Sequence, residues 1–125
     1  MSDGTEQHAA LVDRYLAAWN APERDERQAL IAATFAEDAR YVDPLTQGVG
    51  HAGIEAMIAA VRPRFAGMRF TRRGPVEAHN GHLRFAWALG PDGGAAVVEG
   101  TDFAALRDGR LHSVVGFFDR LPEAA

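Results

Sequence analysis

Asp102 is the residue whose surroundings in the sequence point most directly to chemistry. It lies in the apolar run VVEGTDFAAL, and if that run is a strand, Asp102 shares one face with Val98 and Ala104, because alternate residues of a strand point to the same side. Desolvation raises the pKa of a carboxyl group, so Asp102 on an apolar inner face would keep its proton and donate a hydrogen bond. The alternative is an ordinary polar residue facing a turn, a cap or a partner subunit.

Tyr15 and Asp43 are two further candidates. Tyr15 lies with Leu11 and Trp19 at helical spacing, so it is either a core residue bonded to a backbone carbonyl or a phenol that points into a cavity beside Asp102. Asp43 comes directly before Pro44, and an Asp-Pro pair is above all a turn signal. At the mouth of a pocket, the same carboxyl group would be placed to act as a general base.

The elements that must position these residues begin with three helices. Apolar residues recur at helical spacing in three segments, and a short strand from Ala39 to Val42 lies between the second and the third. Gly48 and Gly50 indicate a loop before the third segment, and Pro63 disturbs its end. The apolar positions are Leu11, Tyr15, Ala18 and Trp19, then Leu30, Ile31, Thr34 and Phe35, then Ile54, Met57, Ile58, Val61 and Phe65.

From Met68 onward the pattern has a period of two, which is typical of strands. Asn80-Gly81 is a strong signal for a two-residue hairpin, and further turns are predicted at 91–94 and 108–109. Strands joined by tight turns are antiparallel, so we predict one α+β domain over residues 1–125 with helices covering one face of the sheet. The last strands are apolar on both faces, which predicts a homodimer through the outer face of the sheet.

Composition excludes several classes of function. The chain has 125 residues, 47% of them hydrophobic, a formal charge of −4 and no cysteine. Arginines gather between 62 and 73, but an acidic chain does not have the footprint of a nucleic-acid-binding protein. No apolar run reaches the ~20 residues of a membrane span, and the N-terminus shows no secretory signal, so a cytoplasmic location is expected. There is no GxSxG, phosphate-loop or HExxH motif, and we expect no metal and no organic cofactor.

Three long segments are similar to a known family. RYLAAWNAPERDERQALIAATFAEDARYVDP, GHAGIEAMI and GTDFAALRDGRLHSVVGFFDRLP resemble the SnoaL-like and ketosteroid-isomerase-like branch of the nuclear-transport-factor-2-like superfamily. The resemblance covers nearly the whole chain in the right order. It implies a cone-shaped α+β barrel, in which three N-terminal helices pack on a strongly curved antiparallel sheet around a deep apolar pocket. It is less specific for activity, because this fold hosts isomerases, polyketide cyclases and non-catalytic modules.

The resemblance also implies roles for the three candidates. As in ketosteroid isomerases, Tyr15 would donate to the substrate oxyanion, Asp43 would be the general base, and Asp102 would be a neutral acid that donates the second hydrogen bond. One residue departs from the pattern. In the isomerases, a tyrosine on the third helix supports the oxyanion donors. This chain has Ile58 near the position that aligns with it.

Two functions from different classes remain open. The first is an enzyme, an isomerase or a polyketide cyclase, that transfers a proton next to a carbonyl group of an uncharged, flat, hydrophobic ligand. The second is a non-catalytic ligand-binding or structural dimer module. The substrate pocket is expected to be lined by Trp19, Ile58, Trp87, His112, Val114 and Phe118. In the non-catalytic module, Trp19, Trp87 or Phe118 would fill a small pocket, or the pocket would hold a ligand unchanged.

Overall fold

Three helices form in the predicted segments, except that Phe35 begins the first strand and Phe65 lies in a 3₁₀ turn. A computed structural model describes residues 2–122, and their side chains from residue 5 onward. Helix α1 spans Ser2–Asn20, α2 spans Arg24–Thr34, and α3 spans Gly50–Val61. A 3₁₀ turn, Arg62–Phe65, follows α3, because Pro63 lacks the backbone N–H that would continue the helix. None of the described helices is both long and apolar enough to cross a bilayer.

Six strands form one sheet on which the helices pack. They are β1 (Phe35–Val42), β2 (Gln47–Val49), β3 (Met68–His79), β4 (His82–Pro91), β5 (Val98–Arg107) and β6 (Arg110–Arg120). Their order in the sheet is β2-β1-β6-β5-β4-β3. The predicted hairpin at Asn80-Gly81 is confirmed, since both residues have positive φ angles, 49° and 78°, as this type of two-residue turn requires.

The prediction of an antiparallel sheet is correct for all pairs except β1 with β6. These two strands run parallel. Parallel pairing is possible because α3 and the strands β3 to β5 connect them in the chain. The predicted loop at Gly48 and Gly50 is wrong in part, because Gln47–Val49 pairs with the end of β1 as strand β2. Helix α3 follows β1 and β2, so the helices are not one consecutive N-terminal block.

The sheet is open. Among the described residues, β2 and β3 each have one neighbouring strand, so backbone pairing does not close the sheet into a barrel. The core lies between the helices and the inner face, where alternate residues of β4 and β5 are buried. On β5 the buried set includes Val98, Asp102 and Ala104. This confirms that Asp102 shares the inner face with apolar neighbours.

Candidate active site

Asp102 lies at the bottom of a cavity between α1 and the sheet. Only 1% of its surface is exposed. The Tyr15 hydroxyl donates a hydrogen bond to its Oδ2 at 2.8 Å, and the Trp87 indole Nε1–H donates to its Oδ1 at 3.0 Å. Both carboxyl oxygens are therefore held, one from α1 and the other from β4.

Burial dominates the protonation of this group. Desolvation raises the pKa of Asp102 from 3.8 to about 6, against the lowering effect of the hydrogen bonds from Trp87 and Tyr15. The negative charge of Asp43 raises it further. Burial, and then the Asp102 charge, raise the pKa of Tyr15 well above its usual value. Tyr15 is therefore a neutral donor, while Asp102 can exchange its proton near neutral pH.

Asp43 lies directly after β1 and combines a turn with a place in the cavity wall. Its Oδ1 accepts hydrogen bonds from the backbone N–H groups of Leu45 at 2.8 Å and Thr46 at 3.0 Å, and its Oδ2 accepts one from the Tyr41 hydroxyl at 2.6 Å. A carboxylate has about four acceptor positions, so these bonds hold the orientation of the group and leave about one position for a substrate proton. The turn signal at Asp43-Pro44 is therefore correct, and it orients the same side chain toward the cavity.

Tyr41 is the residue that sequence reasoning missed. It lies on the inner face of β1, two residues before Asp43, but strand alternation alone does not distinguish it from a core tyrosine. Burial, followed by the charges of Asp102 and Asp43, raises its pKa well above the usual value, so it is a neutral donor beside both acids. A second phenol therefore reaches the site from β1, where it donates to Asp43.

Two glycines make room for these groups. Gly116 on β6 is the register partner of Asp102 on β5, and a Cβ at this position would lie 2.8 Å from Asp102 Oδ1 and 3.3 Å from Asp43 Cβ. A Cβ at Gly100 would lie 2.2 Å from the Trp87 ring. The two acids therefore approach each other around Gly116, and Trp87 reaches Asp102 only because Gly100 has no side chain.

The cavity that these groups line has a volume of about 150 Å³. Tyr15, Trp87 and Asp102 are buried at its bottom, and Asp43 is half-buried in its wall. At the mouth Leu45 and Leu121 are 68% and 52% exposed, next to Arg64. The apolar walls are formed by Leu16, Trp19, Val61, Phe65, Phe70, Trp87, Leu89, Val98 and Phe118. The arrangement places a few polar groups in a largely apolar hollow, as small-molecule sites do.

The structure brings the three sequence-predicted candidates to this one cavity. Tyr15, Asp43 and Asp102 all line it, and so do Trp19, Trp87 and Phe118. Among the side chains of residues 5–122, no three potential ligands lie close enough together to hold a metal ion.

Three residues expected in the pocket lie elsewhere. Ile58 and Val114 are fully buried in the core between helices and sheet. His112 contacts Arg107 and Asp38 outside the cavity. Strand alternation fails at His112 because the pairing of β5 with β6 shifts between Ala105 and Leu106, and such a bulge re-aims the side chains beside it.

Comparisons with known proteins identify the family of the chain. The model of the SnoaL-like domain family matches residues 12–114. A proposed isomerase of the SnoaL-like family from Agrobacterium tumefaciens strain C58 is 44% identical, with a TM-score of 0.87 over 92% of this chain and 99% of that chain. A search of curated proteins finds no match.

Two more distant structures share the fold. A proposed ketosteroid isomerase from Kribbella flavida is 23% identical, with a TM-score of 0.68 over 97% of this chain and 84% of that one. A proposed SnoaL-like polyketide cyclase from Jannaschia sp. CCS1 is 17% identical, with a TM-score of 0.73 over 92% and 87%. With the family match over most of its length, the chain belongs to the SnoaL-like family.

Proposed function

We propose that the protein is an enzyme that transfers a proton next to a carbonyl group of a small hydrophobic substrate, without a cofactor. The observation that carries this proposal is the convergence of two different acids on one apolar cavity. Asp102 is buried and bonded to Tyr15, whereas Asp43 is half-buried and held by Tyr41 and the 43–46 turn. Acids whose environments differ in this way are suited to opposite roles in acid–base chemistry.

Asp43 is the general base of the proposed reaction. It takes a proton from the carbon next to the substrate carbonyl, and the electron pair of that C–H bond moves onto the carbonyl oxygen to form an enolate. A well-placed base contributes a factor of about 10² to 10⁴ in rate. Asp43 then returns the proton to a different carbon, which is isomerisation. Alternatively the enolate carbon attacks a second carbonyl and closes a ring, and Asp43 gives its proton to the alkoxide that this attack forms, which is cyclisation.

Tyr15 and Asp102 stabilise the enolate oxygen at the bottom of the cavity. Trp87 can only donate, so a protonated Asp102 directs its O–H toward Tyr15 or the substrate. If Asp102 donates to the Tyr15 oxygen, the Tyr15 hydroxyl hydrogen is free to point into the cavity. Loss of one such donor costs a factor of about 10² to 10³ in comparable sites.

A non-catalytic ligand-binding module is the second candidate, and one observation favours it. The Tyr15 hydroxyl already donates to Asp102, and Asp43 already accepts three hydrogen bonds. Tyr15 thus has a partner without a substrate, and Asp43 has only about one acceptor position left. This candidate predicts that ligands bind and leave unchanged.

Deuterium exchange distinguishes the two candidates, because it detects proton removal whichever product forms. We expect the protein to accelerate exchange of the protons next to the carbonyl of cyclohex-3-enone in D₂O, measured by proton NMR against buffer alone. A rise in ultraviolet absorbance from the conjugated cyclohex-2-enone would identify the isomerase branch. Binding of the ketone without exchange above the buffer rate would exclude the enzyme.

We also propose that the outer face of the sheet binds a second copy of this chain. Phe103 and Phe117 are 43% and 53% exposed there and pack edge to face with centroids 5.8 Å apart. Charges of both signs lie around them, with Arg84 paired to Glu77 and Arg73 next to Glu99 and Asp119. An apolar patch with a mixed rim is complementary to itself, as a two-fold interface requires.

The dimer proposal predicts a change in mass without a change in fold. We expect the unaltered protein to sediment at twice the mass of the chain, and Phe117→Lys to sediment as a monomer. Ala56→Lys adds the same charge on the exposed side of α3 and should leave the dimer intact. A monomeric unaltered protein, or a dimeric Phe117→Lys variant, would contradict this use of the outer face.

A further inference from the structure

The size of the cavity limits what its bottom can hold. Its volume is about 150 Å³, and an apolar cavity of roughly 150 Å³ in another protein core holds one benzene molecule. Tyr15 lines the closed end, and the buried Phe85 packs edge to face against it with ring centroids 5.5 Å apart. The enclosed part therefore has room for about one six-membered ring, and a four-ring steroid would leave most of its surface outside.

Arg64 is the cation at the mouth of this cavity. Within the described chain, no other arginine, lysine or histidine lines it. Of the arginines between 62 and 73, Arg72 forms an ion pair with Asp13, and Arg73 forms ion pairs with Glu99 and Asp119. Arg64 forms no ion pair with residues 5–122. Within residues 5–122, its charge is therefore not neutralised by a carboxylate.

The charges inside the cavity determine which end of a ligand Arg64 would meet. Asp43 and Asp102 lie deeper than Arg64, so an anionic group at the bottom would be repelled, while a neutral carbonyl there finds the Tyr15–Asp102 pair. A guanidinium matches a planar carboxylate with two parallel N–H donors. An anionic ligand would thus bind with its carboxylate at the mouth and its neutral end near Tyr15.

We infer that the substrate is a one-ring carbonyl compound bearing a carboxylate, which Arg64 binds at the mouth of the cavity. This inference rests on the proposed function and narrows it. The sequence indicated an uncharged ligand, since the wall residues it suggested were apolar or neutral. The 3₁₀ turn after α3 changes that expectation, because it places Arg64 beside Phe65 and Val61 on the cavity wall.

A matched pair of probes tests the charge. Phenylacetate and phenylacetamide have nearly the same shape and differ in charge, and the two tryptophans of the chain, Trp19 and Trp87, both line the cavity, so tryptophan fluorescence reports binding there. At low salt, we expect phenylacetate to bind roughly fivefold more tightly than phenylacetamide, because an ion pair open to solvent contributes an amount of this size. Arg64→Gln should abolish this preference. Arg62→Gln, a change on the same turn, should keep it.

Three results would overturn the inference. They are equal binding of the two probes by the unaltered protein, a preference that survives Arg64→Gln, and no binding of either probe. A steroid carboxylate with four fused rings tests the size limit, and tighter binding of it than of phenylacetate would also overturn the inference. These experiments measure affinity and not turnover. The charge preference can therefore be absent in a protein that catalyses deuterium exchange, and it can be present in one that does not.

Discussion

Replacing Asp43 by asparagine should lower the rate of proton removal by about 10² to 10⁴, the usual contribution of a positioned general base. The amide has no proton-accepting lone pair of comparable basicity, so the first step of the proposed reaction is lost. The turn should survive, because the amide oxygen can still accept the N–H groups of Leu45 and Thr46 that now bond to Oδ1. Tyr41 can rotate its hydroxyl and accept from the new amide.

Deuterium exchange into cyclohex-3-enone, followed with Asp43→Asn and the unaltered protein side by side, measures this effect. The variant should keep its midpoint of urea unfolding and its affinity for phenylacetamide. Asp92→Asn is the matched control, since Asp92 is an exposed acid in the turn after β4, and its exchange rate should be unchanged. Full activity in Asp43→Asn would remove Asp43 from the reaction, and equal losses in both variants would point to a general effect of lost charge.

The side chains of this site differ in how far sequence could place them. Asp102 was predicted on the inner face because alternation along β5 is a local property, and its neighbours Val98 and Ala104 are buried with it. Tyr15 was predicted on the inward stripe of α1 for the same kind of reason. Each of these predictions required only one helix or strand and the spacing of its apolar residues. The hydrogen bond between the two residues, 87 positions apart in the chain, was not predicted, since a place beside Asp102 was only one of two alternatives for Tyr15.

Features that depend on pairing between distant strands were not predictable in this way. The parallel pairing of β1 with β6 has no local signal, yet it brings the end of β1 beside Gly116 and so brings Asp43 toward Asp102. Gly116 leaves room for the two acids only when β6 pairs with β1 and β5 in the observed register. The prediction for His112 was wrong because a bulge changes the face of the sheet to which a side chain points. The pattern of apolar residues does not show where such a bulge occurs.

The buried carboxyl group also predicts how stability depends on pH. The pKa of Asp102 is about 6 in the folded protein against its usual 3.8, so folding favours the protonated form. The contribution of Asp102 is fully present below pH about 4 and is lost as the pH rises through about 6. At higher pH, folding must bury a charge at a cost of about 3 kcal/mol. Asparagine at this position carries no charge at any pH.

Asp102→Asn should therefore gain stability relative to the unaltered protein as the pH rises, by about 2 to 3 kcal/mol between pH 4 and pH 7.5. The amide oxygen can accept from Trp87, and the amide nitrogen can donate to Tyr15 once the hydroxyl rotates, so any loss from altered hydrogen bonds is a constant offset. Urea unfolding of both proteins across this range gives the difference, in which titrating groups that do not interact with Asp102 cancel. Asp92→Asn should show no such rise. A difference for Asp102→Asn that stays flat with pH would mean that burial does not hold a proton on this carboxyl group, and Tyr15 would then be the only donor left to the enolate.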